Sequence, residues 1–333
     1  VRLPYERLRA ALLSWFAQAG RQLPWRETRD PYRVWTAEVI LQQTQIAQAE
    51  GYLGRFWGAF PTLEALARAP REAVLALWQG LGYYQRAHNL HRAAQVFLDM
   101  GGIPLSPWPE ALATLQKVPG IGPYTARAIL AFAGEAPLLP VDGNLVRVLS
   151  RLWGDATPAT ERKAYQAKAD ALPPAFTGRA VGFALMDLAQ LVCKPRRPTC
   201  PACPLRSACQ AYQQGQSEAF PVKAARAPRP TRFFRLLVYY TAEAVWLVER
   251  PAKGLWGGLW TPPLEELPEP PFRPADLRHE FTHFRMLAFA ERLSEPPPHT
   301  QPIPWAELHR YGLPAPIRRY LTQLHTYFLK NFL

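Results

Sequence analysis

The stretch VPGIGPYTARAILAFAGEAPLLPVDGN, Val118 to Asn144, decides how the rest of this 333-residue chain is read. Gly120 and Gly122 let the backbone turn tightly with its N–H groups bare, and Pro123 stands at a helix start, where no N–H donor is needed. Bare N–H groups at a helix N-terminus attract anions. A short apolar helix follows, then a turn ending in Asp142, Gly143 and Asn144. The stretch thus offers a phosphate grip at one end and a carboxylate at the other, a pairing suited to chemistry on a nucleic acid.

Charge points the same way. The net charge is +13 and the sequence pI about 9.8, which favours a polyanionic partner, because each Lys or Arg set on a phosphate releases a condensed counterion. With 48% hydrophobic residues the chain has core material for two or three compact units. No window approaches the roughly 18 uninterrupted apolar residues of a membrane span, and the first residues show no signal-peptide plan. The expectation is a soluble intracellular protein with no membrane partner.

Upstream of the stretch, apolar positions recur at helical spacing from Tyr5 to Phe16, and a turn-rich segment carries Trp25, Arg26 and Pro31. In WTAEVILQQTQI, Glu38 lies among Trp35, Val39, Ile40 and Leu41. A carboxyl in apolar surroundings has its charged form disfavoured and its pKa raised, which is what a general acid near neutral pH requires. A solvent-facing Glu on an amphipathic helix is the alternative. Further helices break at Pro70 and at Gly80 to Gly82, where Tyr83 and Tyr84 follow as core or as contact residues.

Downstream, Asp142 at the cap of a helix starting near Leu145 would be held ionised by backbone N–H groups. Two carboxylates with pKa values pushed apart suit cleavage of a glycosidic bond through an oxocarbenium-like state, Glu38 as acid and Asp142 as stabiliser. All four cysteines follow in one loop, Cys193, Cys200, Cys203 and Cys209, a spacing that suits a cubane iron–sulfur cluster, with zinc as the alternative. Lys194, Arg196, Arg197 and Arg206 add positive charge there. Beyond a basic, proline-bearing linker the character changes to β-rich runs, a GLWGGLW turn and a closing helix, an α+β domain. Its clustered acids Glu265, Glu266 and Glu269 sit in a proline-rich segment and make pyrophosphate hydrolysis there an unfavoured reading.

Taken together, LPWRETRDPYRVW, VWTAEVILQQTQI, GLGYYQRAHNL, VPGIGPYTA, VDGN, the four-Cys loop and GLWGGLW, in that order, closely resemble MutY-type adenine DNA glycosylases of the helix-hairpin-helix superfamily. The resemblance implies a multi-domain fold: an all-α glycosylase core over residues 1–219, then a linker at 220–232, then a Nudix-like α+β domain at 233–333. Within the core it implies a six-helix barrel at about 26–130 and a cluster domain from 1–25 and 131–219 that holds a 4Fe-4S cluster on the four cysteines. It also implies a cytoplasmic, bacterial-type monomer held at the nucleoid through DNA, its partner being double-stranded DNA with adenine opposite 8-oxoguanine.

By the same resemblance Glu38 protonates the flipped adenine at N7, and Asp142 stabilises the sugar cation or traps C1′ transiently. Tyr124 and Asn144 position Asp142, the water and the substrate. Leu41, Gln42, Gln43, Thr44 and Tyr83 match the wedge beside the opposing 8-oxoguanine (or guanine), and Phe281, Thr282 and His283 match the loop that reads it. Gly120 and Gly122 hold a backbone phosphate, with a hairpin-bound metal ion as a possible aid. Endonuclease III-like members carry a Lys where this chain has Tyr124, so the expected reaction stops at base release; the alternatives are a glycosylase with lyase activity and a mismatch-binding module of different base preference. Two departures stand out. Thr282 replaces a Ser, and Gly182 and Phe183 replace an Asn followed by Gln or Glu, so adenine selectivity rests more on Arg26, Trp25 and Glu38 or the base preference is broader.

Overall fold

The computed structural model describes residues 3–223, 228–251 and 254–332; residues 224–227 of the linker read at 220–232 lie outside the described residues. In chain order the helices are α1 (Tyr5–Ala19), α2 (Pro31–Leu41), α3 (Ile46–Ala59), α4 (Leu63–Arg68), α5 (Arg71–Leu77), α6 (Gln85–Asp99), α7 (Trp108–Leu115), α8 (Pro123–Phe132), α9 (Gly143–Trp153), α10 (Arg162–Asp170), α11 (Gly178–Leu191) and α12 (Gln210–Gln213). Seven strands follow, β1 (Thr231–Val238), β2 (Ala244–Glu249), β3 (Trp260–Thr261), β4 (Leu264–Leu267), β5 (Leu277–Glu280), β6 (Arg285–Arg292) and β7 (Gln301–Pro304), and then α13 (Ala315–Phe332). No helix of the described residues is long and apolar enough to cross a membrane.

Two compact units divide the chain, Val1–Arg68 with Arg92–Ala225, and Ala69–His91 with Arg226–Leu333. The first is helical. In it α1 supplies Leu8 and Leu12 to a core built with Leu145 and Leu149 of α9, Leu185 and Leu188 of α11, and Tyr165 of α10, and Cys193, Cys203 and Cys209 pack against the same core. On its other side α2 packs against α3 and α8, and Trp35 meets Phe97 edge-on at 5.0 Å. The α2 helix is buried on nearly every face, because VWTAEVI contains no run of charges that could present a solvent stripe.

The second unit holds a four-stranded sheet in the order β4-β1-β6-β5 and a three-stranded sheet in the order β3-β2-β7. β1 and β6 run parallel, Thr231 beside Arg285 through Val238 beside Arg292, and the remaining pairs are antiparallel. Alternate apolar residues of β1, Phe234, Leu236 and Val238, face a core closed by Ile317 and Leu321 of α13. The helical segment from Ala69 to His91 groups with this unit, not with the helices that flank it in sequence. On β4, Glu265 lies across from Arg235 of β1 and pairs with it, and Glu266, across from Phe234, pairs diagonally with Arg232, so these acids form a cross-strand ladder.

Candidate active site

Asp30 starts α2 by accepting a hydrogen bond from the Tyr32 N–H at 3.0 Å, and Pro31 takes the first helical position. Two turns on, Glu38 is only 8% exposed. Burial, the largest influence, pushes its carboxyl up from the usual range to about 7, with the Asp142 charge adding to the rise; the Tyr124 hydrogen bond and the Arg26 charge oppose it. The Tyr124 hydroxyl donates to Glu38 Oε2 at 2.8 Å. Burial also holds that phenol protonated far above its ordinary range.

Asp142 is the N-cap of α9. Its Oδ1 accepts from the N–H groups of Asn144 and Leu145 at 2.9 and 2.8 Å, and its Oδ2 accepts from Asn144 Nδ2 at 2.8 Å. Three donors and the positive end of the helix thus converge on one carboxylate. The glycine turn sits beside it: Gly120 adopts φ 77°, a left-handed conformation that favours glycine, and Gly122 caps α8 with nothing within 4 Å of where a Cβ would stand.

These groups share one cavity of about 720 Å³ in the first unit. Glu38, Tyr124, Asp142 and Asn144 line it, as do Gly120 and Gly122 of the hairpin. Leu41, Gln42, Gln43 and Thr44 line it from the end of α2, where Gln43 takes φ 57° and Gln42 Nε2 donates to Thr125 Oγ1 at 3.3 Å. Trp25, Arg26 and Phe183 line it as well, with Arg162 and Gln190 among the remaining residues of the wall. No lysine stands among the described residues that line it.

Three features of this site escape sequence reasoning. Asp187, fully buried, receives both terminal nitrogens of Arg26 at 2.9 Å and also binds Arg21 through its side chain and N–H, so Arg26 is locked in place. Arg147 donates to Asn144 Oδ1 at 3.1 Å and to the carbonyls of Ala189 and Cys193 at 2.8 Å, which ties the Asp142 cap to the start of the cysteine loop. Phe183 stacks on Phe132 at 4.3 Å. The only available signal was an acid or base on an otherwise apolar helix, Asp187 on α11 and Arg147 on α9.

Tyr83 and the predicted recognition loop fall in the second unit. Tyr83 is 56% exposed with φ 49°, and it lines a cavity of about 330 Å³ with Trp256, His279, Phe281 and Thr282. Phe281 stacks on Phe284 at 4.6 Å and meets His279 edge-on at the same distance. His283 is exposed and does not line that cavity.

The four cysteines occupy the loop after α11. Burial, the largest cause, and the charges of Cys193, Cys209 and Cys200 raise the Cys203 thiol to about 12; burial and neighbouring thiols raise Cys209 as well. Thiols that disfavour one another's ionisation become thiolates together only around a cation. Arg151 Nη1 donates to Cys193 Sγ at 3.3 Å. Among the described residues no three His, Cys, Asp or Glu side chains stand arranged to hold a metal ion, so the fit of this loop to a cluster rests on its donor chemistry and not on a preformed cage.

Residues 36–174 match the family described as HhH-GPD superfamily base excision DNA repair protein, and residues 235–323 match the NUDIX domain. The adenine DNA glycosylase of Buchnera aphidicola subsp. Baizongia pistaciae is 31% identical over 256 residues, covering 75% of this chain and 71% of that one. The chain belongs to the adenine DNA glycosylase family. The mouse adenine DNA glycosylase is 33% identical, with 87% of this chain and 65% of the mouse protein covered, so the chain spans just under two thirds of that relative. Among solved structures, a thermostable thymine-DNA glycosylase superimposes with TM-score 0.56 at 28% identity, over 63% of this chain and 97% of its own. A non-covalent endonuclease III–DNA complex gives 0.51 at 22% identity, over 64% of this chain and 99% of its own, a likeness of fold alone. The helical glycosylase core followed by a strand-rich Nudix-like domain is therefore the architecture of this adenine DNA glycosylase family member.

Proposed function

We propose that this chain is a monofunctional DNA glycosylase that removes adenine paired with 8-oxoguanine or guanine, stopping at the abasic site. The observation that carries the reading is the pair of carboxyls in one cavity, Glu38 buried with a pKa near 7 and Asp142 held by three donors at a helix N-cap. A base inside the duplex stack is out of reach, so the adenine is flipped into the cavity. Protonated Glu38 gives its proton to N7, the C1′–N9 bond breaks with its electron pair leaving on the base, and the Asp142 carboxylate meets the cation on the sugar. Water then adds at C1′ and returns a proton to the Glu38–Tyr124 pair. Asn144, bonded to Asp142, keeps that carboxylate aimed. Tyr124 is a phenol held protonated and no lysine among the described residues lines the cavity, so none of them offers an amine to form a Schiff base and cleave the strand.

Leu41 to Thr44 wedge the duplex open, and the turn at Gly120 and Gly122 grips a phosphate, with or without a metal ion. In the second unit the aromatic cavity of Trp256, Phe281 and Tyr83, with the Thr282 hydroxyl, supports reading of 8-oxoguanine. Cys193, Cys200, Cys203 and Cys209 hold a 4Fe-4S cluster whose contribution is to fix the basic loop that carries Lys194, Arg196 and Arg197 on the DNA backbone. The test is a duplex with adenine opposite 8-oxoguanine. Strand scission is expected only after alkali, and efficient borohydride trapping of a protein–DNA adduct would overturn the monofunctional reading.

A further inference from the structure

Where α11 lines the cavity that holds Glu38 and Asp142, it supplies Phe183, an aromatic ring that can neither donate nor accept a side-chain hydrogen bond. Phe183, on α11, is buried to 7% exposure and lies on Phe132 at 4.3 Å with 29° between the planes. That stack depends on Gly182: a Cβ there would stand 2.9 Å from Phe132 Cε1, closer than real Cβ contacts allow. The glycine and the phenylalanine therefore act as one unit, the first making room for the ring that supports the second. Two guanidiniums also lie over the Phe183 ring, Arg26 at 4.9 Å and Arg179 at 5.2 Å from its centroid.

The guanidiniums of Arg26 and Arg21 are committed elsewhere. Arg26 spends its terminal nitrogens on Asp187, and Arg21 binds Asp187 and the Gln190 amide oxygen. Arg179 donates through Nη2 to the carbonyls of Arg26 and Thr28, while its Nη1 is buried without a hydrogen-bond partner, and it lines a neighbouring cavity of about 330 Å³ but not the one that holds Glu38. A site that reads an exocyclic group by a buried hydrogen bond rejects analogues lacking it strongly, because its own polar group is then left unpaired; an apolar wall carries no such penalty.

We infer that Phe183 is a specificity-determining residue that presents an apolar, non-hydrogen-bonding wall to the flipped base and leaves the 6-substituent unread, so that the enzyme accepts purines differing at that carbon, unsubstituted purine included, wherever the ring nitrogen served by Glu38 is present. This rests on the glycosylase reading above. The substrate class is thus 9-linked purines with an unblocked N7, selected by protonation and by fit to an apolar wall.

The experiment measures single-turnover base release from duplexes carrying adenine, unsubstituted purine or 7-deazaadenine opposite 8-oxoguanine, each rate divided by that of the same oligonucleotide in acid without protein. The wild-type protein is expected to release purine within about tenfold of adenine, and to leave 7-deazaadenine in place. Phe183→Gln, which restores a hydrogen-bonding side chain, is expected to shift the ratio about tenfold toward adenine. Phe183→Leu, which stays apolar, slows both bases and leaves the ratio unchanged, and it keeps the test decisive if the Gln variant does not fold. A wild-type preference for adenine beyond about tenfold, or an equal shift in ratio for Leu and Gln, overturns the inference. Failure to release adenine at all would instead overturn the proposed function.

Discussion

Replacing Tyr124 by Phe removes the one hydrogen bond that favours the ionised form of Glu38, and its effect on pH dependence can be worked out beforehand. Burial and the Asp142 charge raise the Glu38 carboxyl to about 7, while the Tyr124 bond lowers it. A hydrogen bond to a charged group contributes about 1 kcal/mol more than one to a neutral group, so its loss moves the pKa up by roughly one unit, to about 8. Glu38 acts as an acid, so activity is present below that pKa and lost as pH rises through it. At about pH 6 both proteins have Glu38 mostly protonated; at about pH 8 the wild type retains about a tenth in the acid form and the variant about half. The ratio of variant to wild-type rate is therefore expected to rise about fivefold between those two pH values, whatever uniform loss the missing hydroxyl causes in positioning. Single-turnover base release, read as alkali-labile strand scission with DNA saturated by protein, measures that ratio. A ratio that stays flat or falls as pH rises would refute the assignment of Glu38 as the acid tuned by Tyr124.

Glu38→Gln is expected to abolish base release and to stabilise the fold. With a folded-state pKa of about 7 against a usual 4.5, Glu38 binds its proton more tightly in the folded chain, so its stability contribution is full below about pH 4.5 and is lost as pH rises through 7. The Gln variant should gain on the wild type by on the order of 3 kcal/mol between about pH 4 and pH 8, as read from denaturant midpoints, and no gain would refute the buried-acid assignment. Asp142→Asn keeps a competent helix cap, so stability should change by less than about 1 kcal/mol while base release falls by about a thousandfold; unchanged release would remove Asp142 from the chemistry. Asp187→Asn leaves the nearly buried Arg26 without its counter-charge and is expected to cost about 3 kcal/mol in urea denaturation, a loss that Asp187→Glu should partly restore.

What could be read from the sequence is what short-range chemistry fixes. The cap at Asp142 needs only Asn144 and Leu145, and the hairpin needs only its two glycines, so both are visible within a few residues. The apolar setting of Glu38 is visible too, because its helix lacks a polar stripe. The tuning of Glu38 is not: Tyr124 comes from 86 residues away, and the Asp187 that immobilises Arg26 from 161. Gly182 and Phe183 are legible as a departure from the family pattern, but the Phe132 ring that fills the space over Gly182 belongs to another helix. The grouping of Ala69–His91 with the strand-rich unit has no signature in helical periodicity, which looks the same whichever core a helix serves.

The two carboxyls sit in opposite kinds of local structure, and that difference is built before any substrate arrives. Glu38 lies in the middle of a helix, where every backbone N–H is already bonded along the helix and none can solvate a carboxylate; burial then acts unopposed except by Tyr124 and Arg26. Asp142 lies one residue before a helix, where unbonded N–H groups are in excess and stabilise negative charge. The Asp142 charge also raises the Glu38 pKa. Tyr124, two residues after the glycine that caps α8, is the contact through which the hairpin reaches the acid. A lysine at that position would put a cation beside Glu38, favour its ionised form and drain the general acid, so the phenol suits a reaction that needs a proton for the base more than a nucleophile for the sugar.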